Sequence, residues 1–224
     1  MRSNLVNPHL RFVLGLIKAS HFGPTVLVVV ISFILSLTQL SFLGAIEVAC
    51  AIFAGQLVVG WTNDLLDFPL DKGAERARKP LIAGEVSISG IKKSIPMALG
   101  IALVLSLMGP LGLKGTAIHF LGILSATFYN FRLKRTVVSV VPYMVSFGAM
   151  PWAIYIAVGK TPPAWLYLGF IFFASAFHFL NVLKDLEADI SQEIFGLPQR
   201  LGRRASIAIA CVLVSFGILA VLSR

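Results

Sequence analysis

The stretch Val26-Leu-Val-Val-Val-Ile-Ser-Phe-Ile-Leu35 carries no charge and one hydroxyl. A transmembrane β-strand alternates apolar and polar side chains over about ten residues, and this run does not alternate. Lipid tolerates only segments that satisfy their own backbone hydrogen bonds, so the run reads as part of a membrane helix. The composition extends that reading to the whole chain. Its 224 residues are 57% hydrophobic and 13% charged, with a mean hydropathy of +0.88. A soluble domain carries about 25% charged residues. A disordered chain, a coiled coil and a soluble fold are excluded, leaving an all-α polytopic membrane protein. Cys50 and Cys211 fall in apolar runs, without metal-binding spacing or a disulfide framework. No removable signal peptide is expected, because no small-residue cleavage site follows a short apolar core.

A window of about 19 residues yields seven expected spans: Gly23–Phe42, Leu43–Trp61, Ser94–Leu113, Thr116–Phe131, Val137–Val158, Ala164–Leu183 and Ala205–Ser223. Before them, Leu10, Val13, Leu14 and Ile17 form one apolar face of a helix expected to lie in the membrane interface. Lys and Arg distribute unevenly among the connections. Sixteen of the nineteen fall in the N-terminal segment and in the loops after spans two, four and six. Basic residues collect on the cytoplasmic side, so the N-terminus and these loops are expected there, in a multi-pass protein of the cell membrane. The net charge of +9 then reflects topology and not nucleic-acid binding.

The acids do not follow from topology. Nine of the ten Asp and Glu lie in two of those loops. One stretch is Asn63-Asp-Leu-Leu-Asp67-Phe-Pro-Leu-Asp71, and the other is Asn181-Val-Leu-Lys-Asp185-Leu-Glu-Ala-Asp189. Each reads Asn, then Asp four residues on, then Asp four further on, and the two copies are 118 residues apart. Duplication of a helix group explains such a pair. Positions four apart on a helix differ by roughly 40°, so Asn181, Asp185 and Asp189 are expected to form one stripe. Asp64, Asp67 and Asp71 fall within about 60° of one another. Pro69 is expected to bend the segment after Asp67, which favours Asp64 and Asp67 over Asp71.

Carboxylates stacked on one face repel and call for a cation. Mg²⁺ suits them, because it shares a few carboxylates with substrate phosphates. Two facing clusters could thus hold metal around a diphosphate, with Arg76, Arg78, Lys79, Lys134 and Arg200 nearby to balance phosphate charge. A solvated acidic cap is the competing reading for either stripe alone.

These residues resemble the UbiA superfamily of intramembrane prenyltransferases. Its members show Asn-Asp-x-x-Asp-x-x-x-Asp after the second transmembrane helix and Asp-x-x-x-Asp after the sixth, as at Asn63–Asp71 and Asp185–Asp189 here. The segment Glu75-Arg-Ala-Arg-Lys-Pro-Leu-Ile-Ala-Gly84 is similar to the family's basic-Pro-x-x-x-Gly, with Lys79 where many members have Arg. Thr127–Thr136 and Gly196-Leu-Pro-Gln-Arg-Leu-Gly202 also look like family segments.

The resemblance implies one domain over residues 1–224 and a helical bundle around a central cavity with Asp-rich cytoplasmic loops. Members usually have nine transmembrane helices and seven are read here, so the chain is expected to be truncated at its C-terminal end or a shortened member. The implied reaction is Mg²⁺-dependent transfer of a polyprenyl group from its diphosphate to a lipophilic, aromatic acceptor. By the same resemblance, Asp64, Asp67, Asp185 and Asp189 are catalytic metal–diphosphate ligands, joined by Asp71. Asn63, Arg78, Lys79, Tyr129, Lys134 and Asn181 are candidate substrate contacts. Alternatives within the resemblance are transfer of a phosphoribosyl group to a prenyl phosphate and a non-catalytic relative. A cation transporter is disfavoured, because the acids cluster at one surface and no span has a central Asp.

Overall fold

The computed structural model describes residues 7–73 and 79–224, and every regular element among them is helical. A short helix, α1 (Pro8–Ala19), precedes α2 (Phe22–Leu37), α3 (Phe42–Gly73), α4 (Ile88–Met108), α5 (Gly112–Phe131), α6 (Val141–Ala157) and α7 (Ala164–Val182). A single-turn helix, α8 (Leu186–Ser191), then leads into α9 (Leu197–Leu222), which is kinked at Gly202. Each expected span overlaps one of these helices, though the ends differ, most of all where α3 runs on beyond Trp61 to Gly73. Among the described residues, α3, α4, α7 and α9 are individually long and apolar enough to cross a membrane. The pair α1 and α2, bent by 68°, qualifies as one broken span. The apolar α6 has only 17 residues, and α5 carries Lys114, His119 and Asn130.

Burial is distributed as lipid requires. Ser32, Ser36, Ser106, Ala45, Ala51 and Ala102 are fully buried between helices. Leu103, Val104, Leu107 and Met108 on α4, and Val212, Phe216, Leu219 and Leu222 on α9, face outward. Small residues inside let helices approach closely, and large apolar side chains outside meet acyl chains. A monomer in water would not carry so large an exposed apolar surface.

Sequential neighbours pack side by side from α2 to α7, α9 lies along α7, and α3 also packs on α5. One core joins α1, α3, α4 and α5 through Ala19, Trp61, Ile91 and Ile123. A second joins α2, α3 and α6 through Val28, Leu35, Ile52 and Ile154. The apolar stripe Leu10, Val13, Leu14 and Ile17 on α1 is exposed as expected. Trp61 Nε1 donates to the Leu16 carbonyl at 2.9 Å, and Lys18 pairs with Glu85 at 2.6 Å. These contacts fasten α1 to α3 and to the segment after it. At the corner between α1 and α2, the Ser20 backbone rests on Gly60, where a Cβ would come within 2.5 Å of the Ser20 oxygen. Only glycine permits that approach.

Two details differ from the sequence reading. Helix α3 runs through Pro69 to Gly73, so Asp71 stays in register with Asn63 and Asp67 although Pro69 forgoes one backbone bond. The second stripe is not one helix. The backbone leaves helical geometry at Asp185 (φ −115°, ψ 12°), which becomes the N-cap of α8, a position that Asp favours.

Candidate functional site

The helices enclose a cavity of about 690 Å³. Helix α3 contributes Gln56, Asn63, Asp67 and Asp71 to its wall, in steps of seven, four and four residues along one face. On α7, Phe170, Phe173, Phe177 and Asn181 line it at the same kind of spacing, and Asp185 and Asp189 continue the lining around α8. The two halves of the expected pair therefore face one chamber, acidic where the helices end and aromatic between them. Tyr129 of α5 and Tyr143 of α6 also line it. Their rings meet edge to face at 5.3 Å.

Each carboxylate has its own surroundings. Lys134 Nζ donates to Asp67 Oδ1 from the turn after α5. Gln199 Nε2 donates to Asp189 Oδ2 at 2.8 Å. Asp185 makes no side-chain capping bond and is exposed. Asp64 lies apart from the cavity lining, 3% exposed. It accepts from Lys79 Nζ at 2.7 Å and lies 3.1 Å from His21 Nε2. Lys79 also approaches Asp71 Oδ2 at 3.7 Å. Burial by itself would lower the Lys79 ammonium, but the hydrogen bond and charge of Asp64, with Asp71 and Asp67 beyond, hold it above its ordinary value. Arg78 lies outside the described residues, as do Glu75 and Arg76.

Of the expected site residues, Asn63, Asp67, Asp71, Tyr129, Lys134, Asn181, Asp185 and Asp189 thus share the cavity, and Asp64 and Lys79 stand behind its wall. Phe170, Phe173 and Phe177 line the chamber, whereas Phe172 packs on Phe216 at 5.6 Å and Phe179 is buried in the α7–α9 core. His178 of α7 bonds Ser139 in the turn before α6, Nε2 to Oγ at 3.1 Å. Two residues at the site escape sequence reasoning. His21 lies 3.1 Å from both Asn63 Nδ2 and Asp64 Oδ1, and Gln199 holds Asp189. Gln199 falls in the Gly196–Gly202 segment, which carried no role in the sequence reading, and His21 is revealed only by the approach of a segment more than forty residues away.

Among the described residues, no group of three His, Cys, Asp or Glu can hold a metal unaided. The facing walls offer carboxylate and amide oxygens from Asn63, Asp67, Asp71, Asn181, Asp185 and Asp189. That donor set fits Mg²⁺, which is bound by one or two carboxylates together with substrate phosphates instead of an all-protein cage.

Fold and cavity together define an all-helical, multi-pass membrane protein with an acidic-mouthed chamber. The profile of the UbiA prenyltransferase family matches residues 21–223. The chain belongs to the UbiA prenyltransferase family. No curated protein matches its sequence. Solved structures share the fold at low identity. One, described as a digeranylgeranylglyceryl phosphate synthase in membranes, is 20% identical with a TM-score of 0.70, over 94% of this chain and 75% of that one. A UbiA homolog from Archaeoglobus fulgidus bound to GPP and Mg²⁺ is 15% identical with a TM-score of 0.70, over 93% and 86%. An apo UbiA homolog from Aeropyrum pernix is 16% identical with a TM-score of 0.71, over 96% and 78%.

Proposed function

We propose that the chain is a single UbiA-type domain that transfers a prenyl group from its diphosphate to a lipophilic, aromatic acceptor within the membrane. One observation carries the reading: two acidic motifs 118 residues apart line the same cavity, together with an aromatic helix face. Mg²⁺, when bound, neutralises the departing pyrophosphate. Asp67 and Asp71 on one wall and Asp185 and Asp189 on the other would hold it, oriented by Asn63 and Asn181. Lys134 and Arg78 would bind phosphate oxygens, Lys134 exchanging its Asp67 partner for phosphate. Asp64 and Lys79 would set the charge behind the first motif. The Tyr129 ring would face the allylic carbon as positive charge develops there. The Lys and Arg distribution supports placing the N-terminus and both motifs on the cytoplasmic side.

The test is Mg²⁺-dependent release of pyrophosphate from labelled prenyl diphosphates by the purified protein, with mass spectrometry of the product to identify the acceptor. Asp67→Asn and Asp185→Asn should each lower turnover by about 10²-fold or more, and chelation should abolish it. Near-normal turnover in both variants would defeat the assignment.

A further inference from the structure

His119 of α5 is a histidine within the bundle that belongs to neither acidic motif, and it is only 7% exposed. An ionisable side chain at such a place needs polar partners. Its Nδ1 has one, Ser106 Oγ of α4 at 2.9 Å. Ser106 is fully buried and bonds nothing else among the described residues, so its hydroxyl donates to Nδ1 and the ring proton stays on Nε2. Nε2 reaches across to α3, where a Cβ at Gly55 would come within 2.9 Å of it. Gln56 is the next residue on α3. Among the described residues, neither Nε2 nor the Gln56 amide has a hydrogen-bond partner. Polar groups left unpaired in an apolar interior are unfavourable, and packing alone does not explain them here.

Both side chains line a second, small cavity of about 50 Å³. Gln56, Ala126, Ser146 and Phe147 line this niche and the main chamber alike, so the two adjoin. Ala126 precedes Tyr129 by three residues on α5, and Ser146 follows Tyr143 by three on α6, a rise of about 4.5 Å in each case. A ring in the main chamber thus reaches from the mouth of the niche towards the two tyrosines. The niche itself is too small for a ring and suits a single polar substituent, since one water takes up about 30 Å³. Nε2–H is a donor and the Gln56 amide oxygen an acceptor, a pair that one hydroxyl satisfies at once. No Lys or Arg is among the residues that line the niche, so a carboxylate there would be a buried charge without a counter-ion.

We propose that this niche is the docking point of the acceptor: His119 and Gln56 hold an uncharged hydroxyl carried by its aromatic ring, and an acceptor anchored by a carboxylate is rejected. The inference deepens the prenyl-transfer reading and rests on it.

The test uses the full chain in detergent micelles, with 2-naphthol and 2-naphthoate as probes that share a ring system and differ in charge at neutral pH. Fluorescence titration, corrected with protein-free micelles, gives the saturable affinity, and thermal unfolding is recorded in parallel. The expected result is at least tenfold tighter binding of 2-naphthol than of 2-naphthoate. Gln56→Leu should weaken 2-naphthol binding at least tenfold with the unfolding midpoint unchanged or raised, because an apolar side chain of similar size replaces an unpaired amide. His119→Phe serves where the first variant fails to fold. Equal affinity for the two probes, no saturable binding of 2-naphthol, or a folded variant that binds it as tightly as the parent overturns the proposal. Each of those outcomes leaves the metal–diphosphate reading intact. That reading is overturned separately if the parent protein fails to bind Mn²⁺ in the presence of inorganic pyrophosphate, as read from the free-ion signal.

Discussion

His21 combines a left-handed backbone (φ 54°, ψ 55°) with a ring that reaches Asn63 and Asp64. That conformation turns the chain between α1 and α2, and it is unfavourable for an L-residue by roughly 1–2 kcal/mol. The ring contact to the first motif gives a physical reason for placing histidine there instead of glycine. A pair of variants separates backbone from ring. His21→Gly relieves the strain and loses the ring, so its unfolding free energy in detergent should stay near that of the parent. His21→Val keeps the strain and adds a β-branch, and should be at least about 1 kcal/mol less stable than the Gly variant. Equal stability of the two would show that the left-handed turn is not enforced.

At the scale of elements, glycine spacing decides where the motifs point. The helical period gives the angles between Asp64, Asp67 and Asp71 but not the rotation of the helix as a whole. That rotation follows from α3 packing, with Gly60 against Ser20 and Trp61 bonded to Leu16. It turns Asp71 into the cavity and Asp64 away from it, the reverse of the preference drawn from Pro69. The positions of the helices and the pairing of the motifs were legible, because apolar runs and four-residue spacings are local. The break between α7 and α8, the His21 contact and the Gln199 contact were not, since none of them follows from apolar runs or four-residue spacing. Gly60→Ala should accordingly destabilise the protein by about 1–3 kcal/mol through overpacking against backbone, and it should lower prenyl transfer by shifting His21 from the first motif. Gly100→Ala on the outer face of α4, where nothing lies within 4 Å, is the control. It should be neutral or stabilising by up to about 1 kcal/mol, and thermal unfolding of the two variants compares them directly.

At the scale of the whole molecule, the helix ends divide into two faces. Lys160 in the connection between α6 and α7 donates to Gln39, which follows α2, at 3.2 Å, so these two connections share one face. The basic segment that opens α4 belongs to the other. In a protein with Cys50 and Cys211 replaced, an impermeant maleimide added to intact cells should label Lys160→Cys, and should label Lys92→Cys only after permeabilisation. The opposite pattern would invert the orientation argued from Lys and Arg. The length of α3 carries a consequence of its own. Its 32 residues span about 48 Å at 1.5 Å each, against a hydrocarbon layer of about 30 Å. In the proposed membrane placement, roughly twenty residues from Phe42 to Trp61 cross that layer, and Asn63 to Asp71 ride on the remaining overhang like the top of a mast. On the proposed reading, an amphiphile can stay anchored by its tail in the acyl layer while its headgroup is cleaved at the level of the lipid phosphates, and the released anion diffuses into water without ever crossing oil.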